Sequence, residues 1–191
     1  MAETMTLASP VQTDGGQITS LLIREPTCAE MARAWKHVEA TNNPEANFLF
    51  ERELVAGVGG FARPTLLDNL SMADLAAASA RISKLIDLGL EGFDPESLDA
   101  EIVLAEPLVE SGVEYSTLSL RPARTGEMLK ARGHLRTSQG PASNLAYQMA
   151  LAAAVADVPM KVVHRMPVTS VMRAAMTIEV FSVRPPGTGS A

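Results

Sequence analysis

Apolar and polar residues at the head of the chain fall into two β-like runs, Met5 to Gln12 and Gln17 to Arg24, on either side of Thr13-Asp14-Gly15-Gly16. Asp-Gly-Gly supplies the positive φ that a tight turn needs, so the pattern predicts a β-hairpin. Pro10 has no N–H to give to a ladder, which predicts an edge or bulged strand at that point.

Behind the hairpin the period lengthens to that of helices. Thr27 with Glu30 three residues on forms a capping box, leading into a helix whose Met31, Ala34, Trp35 and Val38 share a face. A second helix is expected from near Pro44, preceded by Asn43, with Phe50, Leu54 and Val58 stepping by four. The run Gly57-Val58-Gly59-Gly60 reads as the end of that helix. It is a poor phosphate loop, because no Lys-Ser/Thr follows and no strand precedes it. A third helix is expected from Met72 to Leu88 behind a Ser71 cap, with Leu75, Ala78, Ile82 and Leu85 at helical spacing.

The same pattern then repeats. A shift of 97 residues lays Leu7 on Leu104, Pro10 on Pro107, Leu21 on Leu118, Arg24 on Arg121, Glu30 on Glu127, Met31 on Met128 and His37 on His134. It continues through Pro44 on Pro141, Leu54 on Leu151 and Val58 on Val155, and then slips by one so that Leu75, Ala78 and Ile82 fall on Val171, Ala174 and Ile178. The second copy predicts strands from Ile102 to Val109 and from Val113 to Arg121, and its capping box is degraded to Arg124-Thr125-Gly126-Glu127. A period this long marks a tandem duplication of a small domain rather than a solenoid.

The expected architecture is therefore α+β: two tandem repeats, each a β-hairpin followed by about three short α-helices. Residues 1–90 form the first repeat, 91–100 a linker, 101–184 the second repeat and 185–191 a disordered tail. So small a unit has a marginal core alone. Docking of the two copies as a pseudo-dimer, or self-association between chains, is the expected remedy.

Composition narrows the function. The 191 residues carry a net charge of −6, with 47% hydrophobic and 20% charged residues. An acidic chain with no basic block has no general attraction to nucleic acid or to an anionic membrane surface. The N-terminal Met1-Ala2-Glu3 segment lacks the pattern of a signal peptide, and no apolar run is long enough to span a bilayer. Cys28 is the single cysteine, so no internal disulfide can form.

No catalytic, cofactor-binding or metal residues are expected. His37, His134 and His164 have no ligand at helical spacing. Cys28, at a helix start, has Thr125 as its counterpart in the other copy, which favours a small residue near a helix start over a nucleophile. Arg24 and Arg121 close the second strand of each copy and are either local ion pairs or contacts to a protein partner. Met31 and Met128 join them as candidate partner-binding residues, because a methionine-rich surface adapts to varied apolar helices.

The string formed by Leu7, Pro10, Val11, Asp14, Gly15, Leu21, Ile23, Arg24, Pro26 and Thr27 resembles the head of the phage tail assembly chaperones of Mu-like and P2-like contractile-tail phages. The second copy matches through Leu104, Pro107, Gly112, Leu118, Leu120 and Arg121, with Ala123 and Arg124 where Pro-Thr would stand. The usual member has one such unit. The resemblance implies a non-enzymatic, cofactor-free factor in the host bacterial cytoplasm. It implies that the chain binds the tape-measure protein, and other tail proteins, and keeps it soluble until the tail tube polymerises. The alternative is a structural tail or baseplate component of the virion.

Overall fold

Each hairpin is interrupted where its proline sits. In a computed structural model describing residues 2–13, 16–39, 43–97, 99–136, 138 and 140–183, β1 (Ala2–Thr13) pairs antiparallel with β2 (Gly16–Arg24). The ladder runs from Ala2 opposite Arg24 to Thr6 opposite Ser20, breaks, and resumes at Val11 opposite Ile18. Strands β3 (Glu101–Glu110) and β4 (Val113–Ser119) pair in the same way, breaking after Val103 opposite Thr117 and resuming at Leu108 opposite Tyr115. These pairs are the 97-residue images of the first set. The shared bulge follows from Pro10 and Pro107, which cannot donate to a ladder.

At the second hairpin tip Ser111 and Gly112 have φ of 52° and 81°, the left-handed pair that matches strand twist. Asp14 and Gly15 of the first predicted turn lie outside the described residues, as does the predicted tail at 185–191. Strand β4 stops before the expected Arg121: Leu120 N–H still donates to Ala100 O at 2.6 Å, and Pro122 then follows without an N–H.

The chain divides into two compact units, Met1–Gly89 and Leu90–Ala191. In the first, the hairpin leads to α1 (Cys28–Glu39), α2 (Ala46–Val58) and α3 (Met72–Leu90), with a 3-10 turn at Pro64–Leu67. Ser71 caps α3 as expected, its Oγ accepting the Asp74 N–H at 3.0 Å. The buried Asp74 carboxylate accepts the Ala8 N–H at 3.1 Å, tying the bulge of β1 to the start of α3. Helix α2 starts two residues after Pro44, because Asn43 accepts the N–H groups of Glu45 and Ala46 and holds the chain in a turn.

In the second unit the hairpin leads to α4 (Thr125–Arg132), α5 (Pro141–Ala156), α6 (Met160–Arg165) and α7 (Val168–Val183). The short α6 is an addition to the expected three helices and stands where the first unit has its 3-10 turn. Pro159 O accepts from both Val162 N–H and Val163 N–H, so that turn closes as α-helix as well. The segment expected as a linker belongs to this unit: a 3-10 turn at Pro95–Ser97 lies against α7, and the Arg173 guanidinium stands 5.4 Å from the Phe93 ring centroid.

The second helix ends the same way in both units. Phe61 N–H returns to Ala56 O and Val158 N–H to Ala153 O, with Gly60 at φ 75° and Asp157 at φ 54° in the intervening left-handed position. This confirms Gly57 to Gly60 as a helix stop. Core positions also correspond, since Met5, Leu7, Leu21 and Ile23 are buried like Ile102, Leu104, Leu118 and Leu120. On the last helices Leu75, Ala78 and Ile82 are buried like Val171, Ala174 and Ile178.

Candidate functional site

The most closely repeated side-chain arrangement is a clamp that joins hairpin to helices. Arg24 donates from Nη1 to Glu30 Oε2 at 2.9 Å and from Nη2 to Glu30 Oε1 at 2.7 Å. Arg121 repeats this on Glu127 at 2.8 and 2.6 Å. The same guanidinium reaches the end of the second helix, at Gly57 O (3.5 Å) in one unit and Ala154 O (3.3 Å) in the other. Each glutamate also accepts the backbone N–H that opens its helix, Thr27 or Arg124, both at 2.8 Å. Thr27 Oγ1 completes the first capping box by accepting the Glu30 N–H at 3.3 Å. Arg124 has no side-chain acceptor, so the second copy keeps the glutamate half of the box.

The clamp fixes the charges. Burial pushes the Glu30 carboxyl up, but the bonds from Arg24 and Thr27 together outweigh it and hold it below the usual carboxylate range. Arg121 and the Arg124 N–H pull Glu127 down to about 2. Both guanidinium pKa values are raised, first by the hydrogen bond to the glutamate. Arg24 and Arg121 thus engage their forks inside their own units.

The methionines diverge. Met31 is buried, whereas Met128 is half-buried, with its sulfur 3.5 Å from the Tyr147 hydroxyl. That hydroxyl donates to Glu179 Oε1 at 2.8 Å, and burial, followed by that bond, raises the Tyr147 pKa to about 12. In the first unit the counterpart of Tyr147, Phe50, packs instead on Trp35, with ring centroids 4.5 Å apart. A groove of about 450 Å³ on the second unit is lined by Pro95, Glu96, Met176, Glu179, Val180 and Val183.

Exposed apolar side chains occur on both units: Leu22, Met72 and Leu88 on the first, and Val103, Val109, Val113, Leu129 and Met160 on the second. Helical and strand periodicity alone did not single these out, because exposure depends on what each element packs against. Sequence reading also missed Glu30 and Glu127 as partners of Arg24 and Arg121. The available signal was an Arg and a Glu six residues apart, kept in both copies.

The remaining candidates offer little chemistry. Cys28 is fully buried and burial pushes its thiol far above the ordinary range, which leaves no thiolate to attack or ligate. His37 Nε2 lies 3.8 Å from Glu53 Oε2, which also pairs with Arg33 through its other oxygen at 3.3 Å. His134 lies in a 3-10 turn and His164 in α6. Among the described residues no three His, Cys, Asp or Glu side chains gather as a metal site, and no helix is long and apolar enough to cross a membrane.

A family model described as phage tail assembly chaperone proteins, E, or 41 or 14, matches the chain twice, over residues 4–87 and 101–182. The two matches coincide with the two hairpin-plus-helices copies. Neither a curated protein nor a solved structure gives a match.

Proposed function

The chain belongs to the phage tail assembly chaperone family, carrying the family's unit twice, and from that premise we propose that it binds the tape-measure protein and keeps it soluble until tail-tube subunits polymerise around it. The observation that carries this reading is the family match on both copies. The exposed apolar residues on each unit support it, since they can mask an aggregation-prone apolar segment without covalent chemistry.

Two units on one chain raise the effective concentration of the second contact while leaving each contact separately displaceable. Displacement by polymerising tube protein needs that weakness. In this reading the half-buried Met128 meets the partner, whereas Met31 is buried on the inner face of α1. Arg24 and Arg121 act as positioning residues that hold each hairpin on its helices. The work is done in the host cytoplasm, where tails assemble, and without catalysis.

Purified virions separate this function from that of a tail or baseplate component. A chaperone is expected in infected-cell lysate and missing from assembled tails. A stoichiometric band in finished particles would identify a structural protein instead.

A further inference from the structure

We propose that the two repeats have divided their labour, and that the hairpin of the second repeat is the docking surface for an apolar segment flanked by lysine or arginine. This rests on the chaperone reading and deepens it by assigning the surface and the chemistry of what it takes. The two hairpins share one backbone register, one bulge and one set of core residues. Their exposed positions have nevertheless diverged, on both faces of the ladder. Thr6, Ser9, Gln12 and Gln17 of the first hairpin become Val103, Glu106, Val109 and Glu114 in the second, and Thr4 becomes Glu101.

Folding does not demand this change. Thr6 forms the same ladder pair position as Val103, and threonine is as good a strand former as the site needs. Yet Val103 is 74% exposed and Val113 52%, on the face of the ladder that also carries Thr117 and Glu110, and Val109 is 53% exposed beside Glu114 on the other face. A single exposed apolar residue, such as Leu22 of the first hairpin where the second has Ser119, is ordinary, whereas three on one hairpin call for a partner.

The charge around the valines says which partner. Between Lys84 and Arg121 the chain has no lysine or arginine, and its carboxylates continue through Glu101, Glu106, Glu110 and Glu114. Arg165 stands 3.7 Å from Glu110 and donates to Val109 O at 2.8 Å. Glu101, Glu106 and Glu114 form no ion pair among the described residues. Valines rimmed by free carboxylates complement an apolar strip with basic flanks, and they repel an acidic one.

The test exchanges the two surfaces in the full chain. One variant carries Val103→Thr, Glu106→Ser, Val109→Gln and Glu114→Gln; the reverse carries Thr6→Val, Ser9→Glu, Gln12→Val and Gln17→Glu. Circular dichroism checks that both fold, as expected for residues already accommodated in the other hairpin. The probes are two labelled Leu/Ala-rich helical peptides, one with lysine flanks and one with glutamate flanks, read by fluorescence anisotropy.

The native chain is expected to prefer the lysine-flanked peptide, with binding that weakens as salt rises. The first variant should lose about tenfold in affinity and the reverse variant should gain a second site. Unchanged binding in the first variant, or no preference in the native chain, overturns the proposal. So does a shift in sedimentation of the chain alone with peptide binding unchanged, which would assign the surface to contacts between copies. Tape-measure solubility measured in parallel separates the two claims: it can persist in the first variant while the hairpin assignment fails.

Discussion

Arg24 grips both carboxylate oxygens of Glu30, at 2.9 and 2.7 Å, and Arg121 grips Glu127 in the same way 97 residues later. The pairing spans the step from hairpin to first helix and touches the end of the second, so one side chain locks three elements. Arg24→Ala should cost about 1.5–3 kcal/mol, the usual value of hydrogen bonds to charged groups. Arg24→Lys should recover little, since an ammonium cannot reproduce the fork. Urea unfolding midpoints of the three proteins check both statements, and a lysine variant as stable as the native chain would refute the fork argument.

Acid should unfasten the second clamp late. Glu127 has its pKa depressed in the fold from 4.5 to about 2, so its contribution is complete above the unfolded carboxylate value and is lost as pH falls toward about 2. Glu30 is depressed as well, so it titrates in the same sense. Thermal melts across that acidic range should show a steeper loss of stability for the native chain than for Glu127→Gln.

Glycine substitutions should split by backbone geometry. Gly60 sits at φ 75° with open space where a Cβ would stand, so Gly60→Ala meets a conformational penalty alone, about 1–2 kcal/mol. Gly126 lies in the first turn of α4, also with open space, and Gly126→Ala should stabilise by about 0.5–1 kcal/mol. Denaturant midpoints moving in opposite directions support the assignment of Gly60 to the helix stop.

Cys28 should be silent in the native state. Its thiol is fully buried with a strongly raised pKa, so a thiol reagent should label the chain only on unfolding. Rapid labelling of the folded protein would contradict the packing of the α1 start.

Much of this fold was legible because the duplication supplies its own control. Pro10 and Pro107 forecast the paired bulges, and Gly60 forecast the helix stop even where Asp157 replaces glycine. What stayed hidden depended on tertiary partners. The Arg24–Glu30 fork needs the strand end and helix start brought together, which periodicity cannot register. Helix α6 arises from bonds to Pro159 O in a stretch too short to show a period. The exposed valines of β3 and β4 read simply as strand formers until their exposure was known.

The central claim is that this duplicated unit solubilises the tape-measure protein. Co-expression with the neighbouring tail genes, followed by affinity capture of the chain, tests it most directly. The account predicts that the longest helical tail protein moves into the soluble fraction and is captured with the chain. A tape-measure protein that stayed insoluble and unbound would contradict it.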